Sequence, residues 1–262
     1  MKTNLSVAIQ AALDAGKEIL KIYDTDFSVE TKGDDSPLTQ ADKNANDVIN
    51  VFLKPTNIPI ISEENRQLDF SERKDWNQCW IVDPLDGTKE FIKRNGEFTV
   101  NIALVENGNP VLGVIYVPVS KELFFTSEDG KTSKKITLTS GTLSIEEILE
   151  KASIIKPSNV VPPIKIVGSR SHLNEDTEKF IAEIEKENKV EIVSKGSSLK
   201  FCLVAEGLAH IYPRYAPTME WDTAAGHAIC KAAGVNVIDQ YTGKPMQYNK
   251  PNLLNNYFVV KA

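Results

Sequence analysis

Residues 83–88 read Asp-Pro-Leu-Asp-Gly-Thr and set two carboxylates three positions apart around a turn. The apolar, β-prone run before them predicts a buried strand that ends at Asp83, because Pro84 fixes its own φ and restricts the preceding residue. Gly87 allows positive φ and close backbone approach, and Thr88 adds a hydroxyl. Two carboxylates, a free carbonyl and a hydroxyl are hard oxygen ligands that suit Mg²⁺. The alternative is an ordinary Asp-Pro and Asp-Gly turn between two strands.

Three further acids stand at the predicted ends of other elements. Residues 58–61 predict a short strand that ends next to Glu63 and Glu64. Since successive strand side chains point to opposite faces, only one of these two should face a shared site. Asp222 opens an Ala-rich run that predicts a helix, with this carboxylate at its N-cap or in its first turn. Taken singly, the acids are explained as solvated strand-end charges and a helix cap, but together with the first turn they favour a metal site.

Three motifs of the chain resemble the signatures of the inositol monophosphatase superfamily, whose members are Mg²⁺-dependent, lithium-sensitive phosphatases. They are Ser-Glu-Glu at residues 62–64, Asp-Pro-Leu-Asp-Gly-Thr at 83–88 and Trp-Asp-Thr-Ala-Ala-Gly at 221–226. Longer stretches are similar to the 3'(2'),5'-bisphosphate nucleotidases within that superfamily, at residues 89–101, 169–172 and 196–207. The likeness runs from the first predicted helix to the last predicted strand, apart from a segment around residues 131–161.

The resemblance implies an active site that binds two or three Mg²⁺ ions. The implied metal ligands are Glu63, Asp83, the carbonyl of Leu85, Asp86 and Asp222. Glu63 is favoured as the direct ligand, with Glu64 behind it. Thr88 would donate a hydrogen bond to Asp42, and these two residues, with Glu63, would orient and deprotonate the attacking water. Without the resemblance, Asp42 is explained as an ordinary charge at a helix N-terminus.

The residues implied to contact the substrate come from both halves of the chain. They are Leu85, Asp86, Gly87, Thr88, His172, Ser197, Lys200, Arg214 and Asp222. The amides of Gly87 and Thr88 would receive phosphate oxygens, as amides at helix N-termini do. Arg170 is an extrapolation from its place after a predicted strand. Lys89, Lys93 and Arg94 are expected to contribute an electrostatic field rather than contacts, and any of these cations could instead be an ordinary surface charge.

The predicted activity is hydrolysis of the 3'-phosphate of adenosine 3',5'-bisphosphate to AMP and phosphate. The sulfated analogue is a second candidate substrate. One alternative is an inositol monophosphatase or another sugar-phosphate phosphatase with the same metal core. The other alternative is a non-catalytic module that senses the nucleotide or the metal, against which the presence of Asp42, Glu63 and Thr88 argues.

Composition fits a cytoplasmic enzyme without disulfides. The chain has 262 residues, of which 41% are apolar and 25% charged, and these are ordinary globular values. The net charge of −6 argues against broad nucleic-acid binding, which rests on many Lys and Arg contacts to phosphates. Cys79, Cys202 and Cys230 lack paired spacing and predict free buried thiols. We see neither an apolar stretch of roughly 18 residues nor a leader segment, so we expect no integral membrane contact. Peripheral contact with the inner membrane, and the choice between monomer and homodimer, are left open.

Hydrophobic spacing predicts an organisation in two parts. Two amphipathic N-terminal helices would pack against a mainly antiparallel sheet. After a polar, lysine-rich connection at residues 130–140, helices and strands alternate, which predicts a mixed and largely covered sheet. We therefore predict a layered α/β/α/β/α sandwich of the α/β (α+β) class. Residues 1–135 would carry most metal ligands, and residues 136–262 would carry Asp222 and the nucleotide contacts.

Overall fold

The computed structural model describes residues 3–26, 29–31, 37–139, 143–168 and 174–262. The α-helices are α1 Asn4–Tyr23, α2 Gln40–Leu53, α3 Phe70–Arg73, α4 Thr88–Ile92, α5 Ile145–Lys151, α6 Glu175–Glu185, α7 Leu199–Ala205 and α8 Ala224–Ala233. Two 3-10 helices are Lys54–Thr56 and Glu220–Asp222. The strands are β1 Val29–Thr31, β2 Pro37–Thr39, β3 Ile60–Ser62, β4 Gln78–Asp86, β5 Thr99–Glu106, β6 Asn109–Val117, β7 Glu122–Thr126, β8 Ser133–Thr137, β9 Ser153–Ile155, β10 Ile164–Gly168, β11 Val190–Ser194, β12 Ile211–Arg214, β13 Asn236–Asp239 and β14 Phe258–Lys261. Both predicted N-terminal helices are confirmed as α1 and α2.

The strands form two large sheets besides the small β1–β2 pair. The first has seven strands in the order β3-β4-β5-β6-β7-β8-β9, with β3 parallel to β4 and every other pair antiparallel. The second has five strands in the order β11-β10-β12-β14-β13. In it, β10 is parallel to β11 and β12, whereas β14 is antiparallel to both of its neighbours. The predicted antiparallel and mixed sheets are therefore both confirmed.

Helices and sheets alternate in layers. The α1 and α2 helices cover one face of the seven-stranded sheet, and α8 packs on β5 and β6 from the other side. Helix α7 packs against α8 between the two sheets. Helix α6 packs against β11 and β12. Neighbouring residues of one strand, such as Ile211 and Tyr212, are buried in different core clusters, which places α6 and α7 on opposite faces of the second sheet. The predicted α/β/α/β/α layering is confirmed.

The predicted polar connection at residues 130–140 is wrong, because residues 133–137 form strand β8 of the first sheet. The ammonium of Lys135 in this strand lies 2.7 Å from Glu122 and 2.8 Å from Glu206, so charges that suggested a solvated loop are paired within the fold. The first sheet continues through β9 to Ile155. Any boundary between the sheets therefore lies after residue 135, and the division of the chain into two domains stays a prediction.

Two close approaches fix the position of α8. A Cβ atom on Gly226 would lie 2.4 Å from Cγ of Phe201 in α7, and one on Gly113 would lie 2.4 Å from the Ala225 carbonyl oxygen. Only glycine fits at either contact, so α8 packs closely against β6 and α7, and the 3-10 helix that precedes α8 contacts β4. The three cysteines are buried free thiols, as predicted. Within the described residues, none of the helices combines the length and the apolarity that a bilayer span requires.

Candidate active site

The two carboxylates of the first motif reach a common side because β4 contains a bulge. Contrary to the prediction, the strand does not end at Asp83 but continues to Asp86, with a register shift between them. Asp83 pairs with Asn101 and Asp86 pairs with Thr99, so three steps along β4 correspond to two along β5. In a regular strand, side chains three positions apart point to opposite faces, and the extra residue returns them to one face. Pro84 is tolerated because a bulge leaves a residue outside the ladder.

Asp222 brings a third carboxylate to Asp83 and Asp86, from a 3-10 helix that contacts β4 and β5. Asp222 was predicted at the N-cap or in the first turn of α8, and this is wrong. It is the last residue of the 3-10 helix Glu220–Asp222. Its carboxylate turns back and accepts a hydrogen bond from the Met219 amide at 2.7 Å, which closes that turn. One carboxylate oxygen from each of Asp83, Asp86 and Asp222 lies within 4.8 Å of the others. We refer to these three residues as the acidic cluster.

The acidic cluster carries more negative charge than a buried site tolerates without a cation. Asp83 is only 1% exposed. Burial, and then the charges of Glu63, Asp86, Asp222 and Asp42, raise the pKa of Asp83 well above its ordinary value. Burial and the charge of Asp86 raise the pKa of Asp222 to about 7. Hard carboxylate oxygens with unbalanced charge are the donor set that divalent cations such as Mg²⁺ prefer, so these residues fit the predicted metal site.

Glu63 reaches the acidic cluster from β3, the strand that runs parallel to β4. Its amide donates to the Val82 carbonyl at 3.2 Å and so continues the pairing of the two strands up to Asp83. The charge of Glu63 raises the pKa values of both Asp83 and Asp222, as a carboxylate near the cluster would. The structure thus brings Glu63 to the site. The assignment of Glu63 as direct ligand and Glu64 as its support stays a prediction.

Asp42 and Thr88 form the predicted hydrogen-bonded pair. The Thr88 hydroxyl lies 3.2 Å from Asp42 Oδ1 and 3.4 Å from the Leu85 carbonyl oxygen. The other oxygen of Asp42 accepts hydrogen bonds from the amide and the hydroxyl of Thr39, at 2.8 and 2.6 Å. Thr39 and Asp42 form a capping box at the start of α2, so Asp42 is a helix-N-terminal charge as well as the partner of Thr88. These bonds hold the Asp42 carboxylate in one orientation.

A polar network that was not predicted from the sequence holds Asp86. Its Oδ2 accepts the Ser198 amide at 2.6 Å and the Asn101 side-chain amide at 3.3 Å. The Ser198 hydroxyl donates to Asn101 Oδ1 at 2.7 Å and lies 2.8 Å from the Thr99 hydroxyl. One oxygen of Asp86 is thereby occupied and the other is left for a cation. The signal for this network was present in the sequence, because Thr99 and Asn101 are polar at alternate positions of a strand whose next four residues are apolar.

A cleft of about 520 Å³ opens beside the acidic cluster. Six residues predicted to contact the substrate line the cleft: Asp86, Gly87, Ser197, Lys200, Arg214 and Asp222. Lys89 and Lys93, which were expected to contribute an electrostatic field, line it as well. Lining residues that were not predicted include Glu90, Asn95, Glu97, Lys195, Tyr212 and Thr218. Arg94 instead donates to the carbonyls of Tyr23 and Thr25, which stabilises the C-terminal end of α1. The predicted contacts His172 and Arg170 lie outside the described residues.

Lys200 and Arg214 bring positive charge to this cleft. The Lys200 ammonium donates to the Ser197 carbonyl at 2.6 Å, and burial lowers its pKa to about 8 against the opposing attraction of Asp86. Arg214 donates from Nη2 to the Pro217 carbonyl at 3.2 Å. Among the described residues, Arg214 Nε and Ser197 Oγ are buried polar atoms without a hydrogen-bond partner. An anionic ligand in the cleft would satisfy such atoms.

Known proteins share both the sequence pattern and the fold. Residues 1–259 match the profile of the inositol monophosphatase family. The chain is 44% identical over 261 residues to the 3'(2'),5'-bisphosphate nucleotidase CysQ of Salmonella typhimurium, with 98% of each chain covered. The crystal structure of CysQ from Bacteroides thetaiotaomicron, a bacterial member of the inositol monophosphatase family, matches with a TM-score of 0.89 at 48% identity, over 100% of this chain and 98% of that one. The Thermotoga maritima IMPase matches with a TM-score of 0.72 at 25% identity, over 97% of this chain and 89% of that one. Motifs, layered fold and near-full-length similarity agree that the chain belongs to the inositol monophosphatase family.

Proposed function

We propose that this chain is a Mg²⁺-dependent phosphatase that hydrolyses the 3'-phosphate of adenosine 3',5'-bisphosphate, giving AMP and phosphate. The observation that carries the proposal is that Asp86 and Asp222 of the acidic cluster line the same cleft as Lys200 and Arg214. A ligand with two phosphates suits such a lining, because one phosphate would meet the metal-binding acids and the other would meet the cations. The relative with 44% identity is named for this activity. The sulfated analogue carries the same 3'-phosphate and is a second proposed substrate.

The acidic cluster requires a cation before any phosphate can approach it, because carboxylates and phosphate repel each other. Two or three Mg²⁺ ions would be held by Glu63, Asp83, the Leu85 carbonyl, Asp86 and Asp222. Bound Mg²⁺ supplies positive charge that acidifies a water molecule and offsets the charge of the phosphoryl group. The protein's own contribution is to keep Asp83 and Asp86 on one face through the bulge and to orient Asp86 through the Ser198 amide.

Asp42 and Thr88 would activate the attacking water. The Thr88 hydroxyl donates to Asp42, so the lone pairs of its oxygen remain able to accept a proton. As the water oxygen forms a bond to phosphorus, its proton passes to Thr88 Oγ1 while the Thr88 proton passes to Asp42 Oδ1. The bond between phosphorus and the 3'-oxygen of the ribose breaks in the same step. The 3'-oxygen takes a proton from a solvent water molecule and leaves as the alcohol, and Asp42 then returns its proton to the solvent. Glu63 lies beside the cluster and would help to orient the water.

The second phosphate would bind Ser197, Lys200 and Arg214. All three line the cleft and offer a hydroxyl, an ammonium and a guanidinium. An inositol monophosphate carries a single phosphate and leaves these groups without a counter-charge. That difference favours the nucleotide over the alternative of an inositol monophosphatase. A sugar bisphosphate also carries two phosphates, so it belongs in the test.

Phosphate release from a substrate panel tests the proposal. We expect the highest kcat/KM for adenosine 3',5'-bisphosphate, lower values for 3'-AMP and fructose 1,6-bisphosphate, and the lowest for inositol 1-phosphate. Lys200→Met and Arg214→Met should each raise the KM for the bisphosphate about tenfold or more, since each removes a charged hydrogen-bond donor, with a much smaller change for 3'-AMP. A higher kcat/KM for inositol 1-phosphate contradicts the proposed substrate. Binding of the bisphosphate without phosphate release favours the non-catalytic sensor.

Lithium sensitivity, oligomeric state and location in the cell need separate measurements. Millimolar Li⁺ should inhibit turnover by competing for a Mg²⁺ position. The choice between monomer and homodimer is decided by size-exclusion chromatography with light scattering. Cytoplasmic location and peripheral contact with the inner membrane are decided by fractionation of cells that produce the protein.

A further inference from the structure

Glu97 connects two distant segments of the chain that both line the cleft, although no step of the proposed reaction uses it. It precedes β5, and its side chain is 13% exposed. Its Oε2 accepts a hydrogen bond from the Gly196 amide at 2.9 Å, and its Oε1 lies 3.5 Å from the Lys195 ammonium. The carboxylate of one half of the chain therefore binds both a backbone amide and a side chain of the other half. We refer to residues 195–198 as the substrate loop.

Gly196 and Gly87 are closely packed against neighbouring atoms at this junction, so neither position has room for a larger side chain. A Cβ atom on Gly196 would lie 2.9 Å from the Glu97 carbonyl oxygen, 3.0 Å from Glu97 Cβ and 2.9 Å from Cγ of Glu90. A Cβ atom on Gly87 would lie 3.2 Å from the same carbonyl oxygen and 3.3 Å from Cβ of Ser197. The substrate loop thus lies directly on the backbone that follows the metal-binding motif and contacts both the carbonyl oxygen and the Cβ atom of Glu97.

Two hydrogen bonds anchor the substrate loop on either side of Ser197. The Gly196 amide binds Glu97, and the Ser198 amide binds Asp86 at 2.6 Å. Between these anchors Ser197 has a φ of 43°, a left-handed conformation that costs a non-glycine residue free energy and persists only where its surroundings enforce it. In this conformation the Ser197 carbonyl accepts the Lys200 ammonium at 2.6 Å. The anchors therefore also determine where the Lys200 charge lies.

We propose that Glu97 is a positioning residue that holds the substrate loop ready for the phosphate that is not cleaved. This inference rests on the proposed function. Without the Glu97 carboxylate, the loop loses its anchor at Gly196 and keeps those at Ser198, so Ser197 can relax toward an ordinary conformation. The binding of the second phosphate then has to order the loop, which weakens binding of the bisphosphate. Metal binding and water activation involve neither Glu97 nor the Gly196 amide, so they are spared.

The KM values of Glu97→Ala for two substrates test the positioning role. The KM for adenosine 3',5'-bisphosphate should rise about tenfold, the order expected for a lost hydrogen bond to a charged acceptor, whereas the KM for 3'-AMP, which lacks the second phosphate, should change much less. The Mg²⁺ concentration at half-maximal rate should stay the same. Glu97→Gln retains an oxygen that can accept the Gly196 amide and should recover most of the loss. A purely structural role would lower thermal stability without changing the ratio of the two KM values.

Glu206→Ala is the matched control. Its side chain is 12% exposed and pairs with the Lys135 ammonium at 2.8 Å, but it does not line the cleft. It should lose comparable thermal stability and keep the wild-type KM ratio. Gly196→Ala is an independent perturbation, since the added methyl displaces the substrate loop while Glu97 stays in place, and it should raise the same KM. This variant decides the question if Glu97→Ala does not fold.

The outcomes separate the inference from the proposed function. A wild-type enzyme that does not prefer adenosine 3',5'-bisphosphate over 3'-AMP refutes the proposed function and the inference with it. A wild-type enzyme with that preference refutes only the positioning role if Glu97→Ala and Gly196→Ala leave the KM ratio unchanged. Equal increases of both KM values, or a raised Mg²⁺ requirement, also overturn the positioning role, because the defect would then lie at the metal site.

Discussion

Replacement of Thr88 by valine removes one hydroxyl from the proposed active site and keeps the shape of the side chain. That hydroxyl lies 3.2 Å from Asp42 Oδ1, long for an O–H···O bond and typical of a catalytic contact that tightens when substrate binds. Asp42 retains both hydrogen bonds from Thr39 in the variant, so the free energy of unfolding should fall by only about 1 kcal/mol. The proton path to Asp42 is broken in the variant. A positioned general base typically raises the reaction rate by roughly 10²- to 10⁴-fold. We therefore expect kcat to fall by that factor, which corresponds to about 3–5 kcal/mol of activation free energy.

The assay is phosphate release from adenosine 3',5'-bisphosphate at saturating Mg²⁺ and saturating substrate, with thermal unfolding measured in parallel. Thr88→Ser keeps the hydroxyl and should stay within about tenfold of wild type, whereas Thr88→Val should not. A Thr88→Val enzyme with a kcat close to wild type refutes the proton path. A loss that excess Mg²⁺ restores refutes it as well, because the hydroxyl would then serve the metal rather than the water.

The acidic cluster, the α8 contact and a buried histidine each allow a direct test. Asp83→Asn removes one of several mutually repelling buried carboxylates, so without metal the variant should unfold at a higher temperature than metal-free wild type while calorimetry detects loss of Mg²⁺ uptake; a lower unfolding temperature contradicts the repulsion. Gly226→Ala places a methyl group 2.4 Å from Phe201 Cγ. Its free energy of unfolding in urea should therefore fall by about 1–3 kcal/mol, and an unchanged value would show that α8 can shift without cost. Burial lowers the pKa of His227 from 6.5 to about 3, so between these values the unfolded chain binds a proton that the folded protein does not. This contribution to stability is complete above pH 6.5 and is lost as the pH falls, by about 2 kcal/mol between pH 7 and pH 5. His227→Asn should lack that part of the pH dependence in urea titrations, and a dependence equal to wild type contradicts the assignment.

Local hydrophobic periodicity was sufficient to predict the N-terminal helices and the general order of elements. The spacing of apolar residues predicted α1 and α2, and the predicted alternation of helices and strands in the second half is confirmed by elements such as β10, α6 and β11. These elements depend mainly on which face of a short segment is buried, and that information is local. The layered fold followed from the order of such elements and from the family resemblance.

Elements whose form depends on a distant partner were predicted poorly. Strand β8 was predicted as a polar loop, because the pairing of Lys135 with Glu122 and Glu206 is a property of the folded sheet. The end of β4 was placed at Asp83, although its pairing with β5 accommodates Pro84 in a bulge and carries the strand further. In each case, the sequence pattern describes one segment, whereas the conformation is set by the segment that packs against it.

The sequence by itself determined which groups could do chemistry: the acids of the three motifs, the Thr88 hydroxyl with Asp42, and the cations of the second half. Only the tertiary structure decided how they meet. The bulge turns Asp83 and Asp86 to one face, and the Ser198 amide, 112 positions further along the chain than Asp86, occupies one oxygen of that carboxylate. Charges and hydrogen bonds act through space over a few ångströms, so their effect depends on distances that the order of residues along the chain does not contain.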